Sequence, residues 1–225
     1  MSKYKCQFCN KEFARERTLG SHACEKRRRF NNKDKKSSKI AFTAFNKFYQ
    51  GITRSTKSKT VDEFINSQYY LAFTRFGEYC TNTKVINVNK FILFLIKNEI
   101  HIDKWNKDST YDLYLEHLLL SEDVADAMER TIEYSISWGT DKNMNPWDLF
   151  RFGTTYRIQQ AISQGKISPW VLLKSTSGFN WVQQQDDEIL SPIWHFIDVN
   201  KWSTKFNNNK DDATFAEEVL KHGGW

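Results

Sequence analysis

Four residues within a span of nineteen, Cys6, Cys9, His22 and Cys24, constrain this chain more than anything else in it. The only other cysteine is Cys80, far downstream. Three thiols crowded beside an imidazole are poor arithmetic for a disulfide framework and good arithmetic for a metal site. The pair Cys6 and Cys9 has the Cys-x2-Cys spacing that puts two thiolates on one tight turn and one face of a tetrahedral ion. Twelve residues then lead to His22, enough for a short strand and the start of a helix whose inner face presents the imidazole. So small a segment buries too little apolar surface to fold alone, so one bound Zn2+ would supply its folding energy. Tyr4, Phe13 and Leu19 are placed as a miniature core beneath the ion.

The intervals from Tyr4 through Cys6, Cys9, Phe13 and Leu19 to His22 resemble the zinc-finger family. The resemblance implies a small ββα unit. The sequence departs from the family at the fourth ligand, because positions 26 and 27, where a second His or Cys is expected, hold Lys26 and Arg27. Cys24 is the candidate, provided the helix loosens or stops just after His22, since neighbours two apart on a regular helix face apart. A water or a remote ligand is the alternative. The family's base-reading positions fall on Arg15, Thr18 and Ser21, and one such unit reads only ~3 base pairs. The basic run that follows, Lys26, Arg27, Arg28, Arg29, Lys33, Lys35 and Lys36, with Lys39 beyond it, offers sequence-blind, salt-sensitive contact to phosphates. The competing reading of the same segment is a protein-docking clip.

Charge divides the chain. Residues 1–60 hold 17 Lys and Arg against 4 Asp and Glu, a balance of +13 within an overall +6. The remainder is therefore mildly acidic, and Arg54, Lys57 and Lys59 extend the basic head toward it. A basic block beside a metal-binding segment points to polyanions such as DNA or RNA. The expected organisation is a finger with its basic extension over residues 1–29, a basic flexible linker over 30–39, and an all-α domain over 40–225. The fold class expected is mainly α.

The helical reading of the body rests on apolar spacing of three and four from Ile40 onward and on start signals. Thr60 with Glu63 forms a capping box. Asn87 or Asn89 precedes the apolar run Phe91–Ile96, and Ser109 opens Tyr111 to Leu118. Ser121, with Glu122 and Asp123 in its first turn, starts another helix. Asn145-Pro146-Trp147 and Ser168-Pro169-Trp170 are twin starts with proline at the first helical position, and Asp212–Lys221 closes the chain ahead of Gly223-Gly224. Aromatics at helical spacing, such as Phe45, Phe48 and Phe73, read as core rather than as a stacking platform. No apolar stretch approaches the ~20 residues that span a bilayer, and no signal peptide opens the chain, so a reducing, cytoplasmic setting is expected. No catalytic constellation assembles: the remaining histidines, His101, His117, His195 and His222, match no nuclease, protease or triad signature. No small-molecule substrate is evident.

The segment Cys6–Cys9 through Leu19-Gly20-Ser21-His22-Ala23-Cys24 to Arg28, with a Trp- and Phe-rich helical body, also resembles uncharacterised proteins of large tailed bacteriophages, cyanophage-like myoviruses among them. Lys90–Phe94 leading to Trp105 and Asp108, and Tyr156 through Leu173, are similar to helices of phage replicative helicase loaders. That resemblance carries no known activity; the basic head on a mildly acidic body points to a phage accessory protein that binds nucleic acid through its head and docks a replication, transcription or packaging protein through its helical body. Its rival is a virion structural or assembly protein in which the finger is a staple.

Overall fold

The computed structural model describes residues 4–53 and 56–225 and is mainly helical. Its strands among the described residues, β1 (Tyr4–Lys5) and β2 (Glu12–Phe13), pair antiparallel with Tyr4 opposite Phe13. Two compact units follow from the packing, Met1–Tyr111 and Asp112–Trp225.

In the first unit, the hairpin leads to α1 (Glu16–Gly20) and α2 (Glu25–Asn31), then to α3 (Lys36–Thr53), α4 (Val61–Asn66), α5 (Tyr70–Thr83) and α6 (Val88–Lys97). Residues 30–39, expected as a tether, comprise the end of α2, one turn and the start of α3. The turn is closed by the Lys33 N–H on the Phe30 carbonyl and the Lys35 N–H on that of Asn32. Short polar residues at helix ends are as compatible with capping turns as with a flexible linker. The pattern alone does not separate them.

Helices α3 and α5 form the centre of this unit. Gly77 permits their approach: a Cβ there would lie 2.1 Å from the Ser37 carbonyl oxygen. Trp105 is fully buried among Phe48, Phe73 and Phe76, with ring centroids 5.3–5.8 Å away, and its indole N–H donates to the Ile100 carbonyl at 2.8 Å. Edge-on ring contacts of this kind add to the area term. Phe45, Phe73 and Phe76 are buried as the helical spacing requires, whereas Tyr69 remains exposed. The capping box at Thr60 and Glu63 is complete, with the Glu63 carboxylate accepting from the Thr60 N–H at 2.7 Å. Asn87, in a left-handed conformation, caps α6.

Helix α7 (Asp108–Ser121) contains the division between the units. Within the second unit, α8 (Val124–Lys142) packs against α9 (Pro169–Leu172) and α10 (Lys210–His222). The start of α8 differs from expectation. Ser121 ends α7, Asp123 is the N-cap of α8, and Glu122 is buried in a fork with Arg130 at 2.5 and 2.7 Å. The Arg130 Nε also donates to the Gly165 carbonyl at 2.8 Å. Ser168 caps α9 through the Trp170 N–H, while Asn145 makes no side-chain cap. Trp170 meets Trp202 edge-on at 5.9 Å. The C-terminal Trp225 packs its ring against Phe150 at 5.9 Å. No helix among the described residues is long and apolar enough to cross a membrane.

Candidate metal centre and basic segment

Cys6, Cys9, His22 and Cys24 converge, with their ligand atoms all within 4.8 Å of one another. Cys6 Sγ lies 3.9 Å from Cys24 Sγ, and Cys9 Sγ lies 3.2 Å from His22 Nε2. A tetrahedral ion with Zn–S near 2.3 Å and Zn–N near 2.0 Å separates two sulfurs by about 3.8 Å and a sulfur from a nitrogen by about 3.5 Å. The Cys6–Cys24 pair sits near such an edge length, and the Cys9–His22 pair, at 3.2 Å, lies somewhat inside it. The donor set, three soft thiolates and one imidazole with no vacant carboxylate, suits structural zinc. It could hold one ion.

Local structure explains the convergence. The Cys6 N–H donates to the Lys11 carbonyl at 2.9 Å and the Asn10 N–H to the Cys6 carbonyl at 2.8 Å, closing a turn that needs Asn10 at φ 60°. Asparagine tolerates that left-handed conformation better than most residues. Helix α1 stops at Gly20, so His22 follows in the turn beyond it rather than on the helix face the sequence suggested. Because the helix has already ended, Cys24 is free to turn inward as the N-cap of α2, its sulfur accepting from the Arg27 N–H at 3.4 Å. The spacing objection to Cys24 thus disappears.

Cys6 is buried, at 4% exposure. The backbone N–H of Cys9 lowers its pKa to about 7 against the opposing effect of burial, with the Phe8 N–H adding to the fall. For Cys9, the Lys11 backbone hydrogen bond pulls down, but desolvation and the neighbouring Cys6 and Cys24 thiols raise it overall. Packing beneath the cluster departs from expectation. Tyr4 is 36% exposed and Leu19 only half-buried, while Phe13 lies against the His22 ring at 4.7 Å. An unforeseen contact, Phe8 with Phe30 at 5.3 Å, joins the cysteine turn to α2.

The basic residues do not share one face. Consecutive residues on an α-helix are about 100° apart, so Lys26 to Arg29 fan around α2. Ser21, Arg27 and Arg28 line one groove of about 470 Å³ with Gly20, His22 and Asn31. Lys26 lines a different groove, beside Phe8 and Phe30. Arg29 is held by the fold: one guanidinium nitrogen donates to the Ile65 carbonyl at 2.8 Å, the group pairs with Glu25, and its plane lies 4.3 Å from the Tyr70 ring centre. Lys33 sits over Phe30 at 4.1 Å. Arg15, Thr18, Lys35 and Lys36 are exposed, and the groove that takes in Ser21 does not include Arg15 or Thr18. Arg54 lies outside the described residues.

Other candidate chemistry stays dispersed. His101 bonds Asp103 at 2.5 Å on open surface, and Cys80 is a buried thiol whose pKa burial raises to about 12. Comparison with protein-family models, with curated proteins and with solved structures finds no match for this chain.

Proposed function

We propose that the N-terminal segment is a ββα-type zinc finger with a Cys3His ligand set. The finger and its basic flank then hold DNA or RNA, and the helical units dock a protein of replication, transcription or packaging, as in an accessory protein of phage type. The observation that carries the metal assignment is the closure of four ligand atoms within 4.8 Å. What supports the nucleic-acid assignment is the groove of Ser21, Arg27 and Arg28 adjoining His22, with exposed Lys35 and Lys36 nearby in the chain. Arginine forks suit phosphate geometry.

The test is affinity of the full zinc-loaded chain for duplex and single-stranded DNA across a salt series, beside an Arg28→Ala, Lys35→Ala, Lys36→Ala variant. Each duplex phosphate contact removed should reduce the log–log salt slope by about 0.9. A shallow slope that the triple variant leaves unchanged would dispose of the nucleic-acid reading.

A second reading has its own support. The Arg29 clasp and the Phe8–Phe30 contact staple the cysteine-bearing segment to α2 and the helices beyond it. On that reading the zinc unit is a structural clip, and the protein is a virion structural or assembly component. Abundance in purified particles, with no salt-dependent DNA binding, would favour it.

A further inference from the structure

The cations from Lys26 to Arg29 are neighbours in sequence and unequal in the fold. Lys26 shares its groove with Asp62, and Arg29 and Lys33 share a cavity with Asp34. Lys36 and Lys39 line a further groove, again with Asp34. In each of these a carboxylate offsets the attraction for a polyanion. The groove of about 470 Å³ beside His22 is different: Arg27 and Arg28 supply its charge, Ser21, Asn31 and Asn32 its neutral polar groups, and no carboxylate lines it.

The two arginines are also available. Arg28 is exposed, and its guanidinium hydrogen-bonds to nothing among the described residues, whereas that of Arg29 is clasped. Arg27 directs one guanidinium nitrogen to the His22 carbonyl at 3.3 Å, which leaves most of its five N–H donors for a ligand. A Cβ built on Gly20, at the edge of this groove, meets nothing within 4 Å, so the approach on that side is open.

Helix α1 does not offer a face for reading a duplex. Its five residues run about 7.5 Å, short against a major groove about 12 Å wide. It stops one residue before Ser21, whose hydroxyl turns back to donate to the Thr18 carbonyl at 3.2 Å. Arg15 and Thr18 do not line the groove.

We infer that this groove seats one backbone phosphate of a single-stranded nucleic acid, with the Arg27 and Arg28 forks on the phosphate oxygens and the Asn31 and Asn32 amides on the adjoining sugar or base edge. This assignment rests on the nucleic-acid contact proposed for the segment and narrows it, from a basic flank along a polymer to one unit of an unpaired strand. Planar guanidinium groups meet phosphate through paired hydrogen bonds. An amide both donates and accepts, so it suits a sugar hydroxyl or a base edge. An unpaired strand can turn a whole nucleotide into a concave site, whereas a duplex keeps its bases stacked.

The experiment is fluorescence anisotropy on the full zinc-loaded chain. The probes are a labelled DNA strand, the RNA strand of the same sequence, and the DNA duplex formed with the complement, each across a salt series. The single strands should bind more tightly than the duplex. Arg28→Ala should weaken single-strand binding by about threefold to tenfold, a charge-assisted contact discounted for its exposure. It should also flatten the log–log salt slope by about 0.7, the share of one single-strand phosphate. Arg28→Lys keeps the charge and loses the fork, so it should restore the slope but not the full affinity. Lys26→Ala, in the same basic run, should stay near the parent. Gly20→Lys adds a cation in open space at the groove and should strengthen binding, a gain that misfolding does not produce; Gly20→Glu should weaken it. With those outcomes, preference for one strand names the sugar that is read, and equal binding assigns the contact to the phosphate both strands share. Tighter binding of the duplex, equal losses in Arg28→Ala and Lys26→Ala, or a Gly20→Lys variant that binds no better would overturn the groove assignment and leave nucleic-acid contact elsewhere on the segment standing. Absence of salt-dependent binding to every probe would remove the broader reading as well.

Discussion

Replacing Arg29 by Ala probes how the basic segment is attached. The side chain is largely buried, at 18% exposure. It donates to the Ile65 carbonyl at 2.8 Å and lies 4.3 Å from the Tyr70 ring centre. A hydrogen bond from a charged group contributes about 1.5–3 kcal/mol, and a cation–π contact about 0.5–2 kcal/mol depending on desolvation. The exposed pairing with Glu25 is left out of the sum. The two contributions share one side chain and are not independent, so the expected loss is about 2–3 kcal/mol. That loss should appear as local opening of α2. Amide exchange in residues 25–31 should accelerate by about 30- to 150-fold, with smaller changes in the second unit. Arg29→Lys keeps the charge but not the planar fork, and should recover only part of the protection. Exchange rates within a factor of about two of the parent would refute the clasp and return this segment to the status of a loose arm.

Thiol chemistry tests the metal centre. In the native zinc-loaded chain, a disulfide reagent should label none of the four cysteines rapidly; chelation should release Cys6, Cys9 and Cys24, while Cys80, its pKa raised to about 12 by burial, should react only on unfolding. Cys24→Ala should sharply lower zinc affinity and destabilise the N-terminal segment, read by competition with a chromogenic chelator; unchanged affinity would remove Cys24 from the ligand set. Gly77→Ala should destabilise the first unit by about 1–3 kcal/mol or more, because the added methyl meets backbone rather than a mobile side chain. Denaturant melts check this, and a neutral result would deny the close α3–α5 crossing. At the capping box, the Lys59 ammonium and the Thr60 N–H hold the Glu63 carboxyl down at about 2. A depressed folded pKa contributes stability above the unfolded value near 4.5 and loses it as pH falls toward 2. The stability gap between the parent chain and Glu63→Gln should therefore narrow between pH 5 and 2, and a gap that is flat with pH would contradict the assignment.

Covalent spacing and local chemistry were enough to read several features directly. The clustering of Cys6, Cys9, His22 and Cys24, which could hold a metal ion, follows from the spacing of three thiols and an imidazole, and the helical body follows from apolar residues recurring every three or four positions. Thr60 with Glu63, and Ser168 before Pro169, mark helix starts because the partners are three residues apart or fewer. Contacts distant in sequence were not legible. Nothing in the run Lys26–Arg29 says that Arg29 faces Ile65 and Tyr70 while Arg28 faces a groove, since that depends on where α4 and α5 lie around α2. Glu122, placed by the sequence in a helix's first turn, is instead buried between two helices in a fork with Arg130, eight residues along. The division at Tyr111 and the Gly77 crossing likewise arise from packing. Sequence determines what is encoded within about one helical turn. Which charge is spent on the fold and which is left for a ligand is decided only when distant segments meet and exclude water between them.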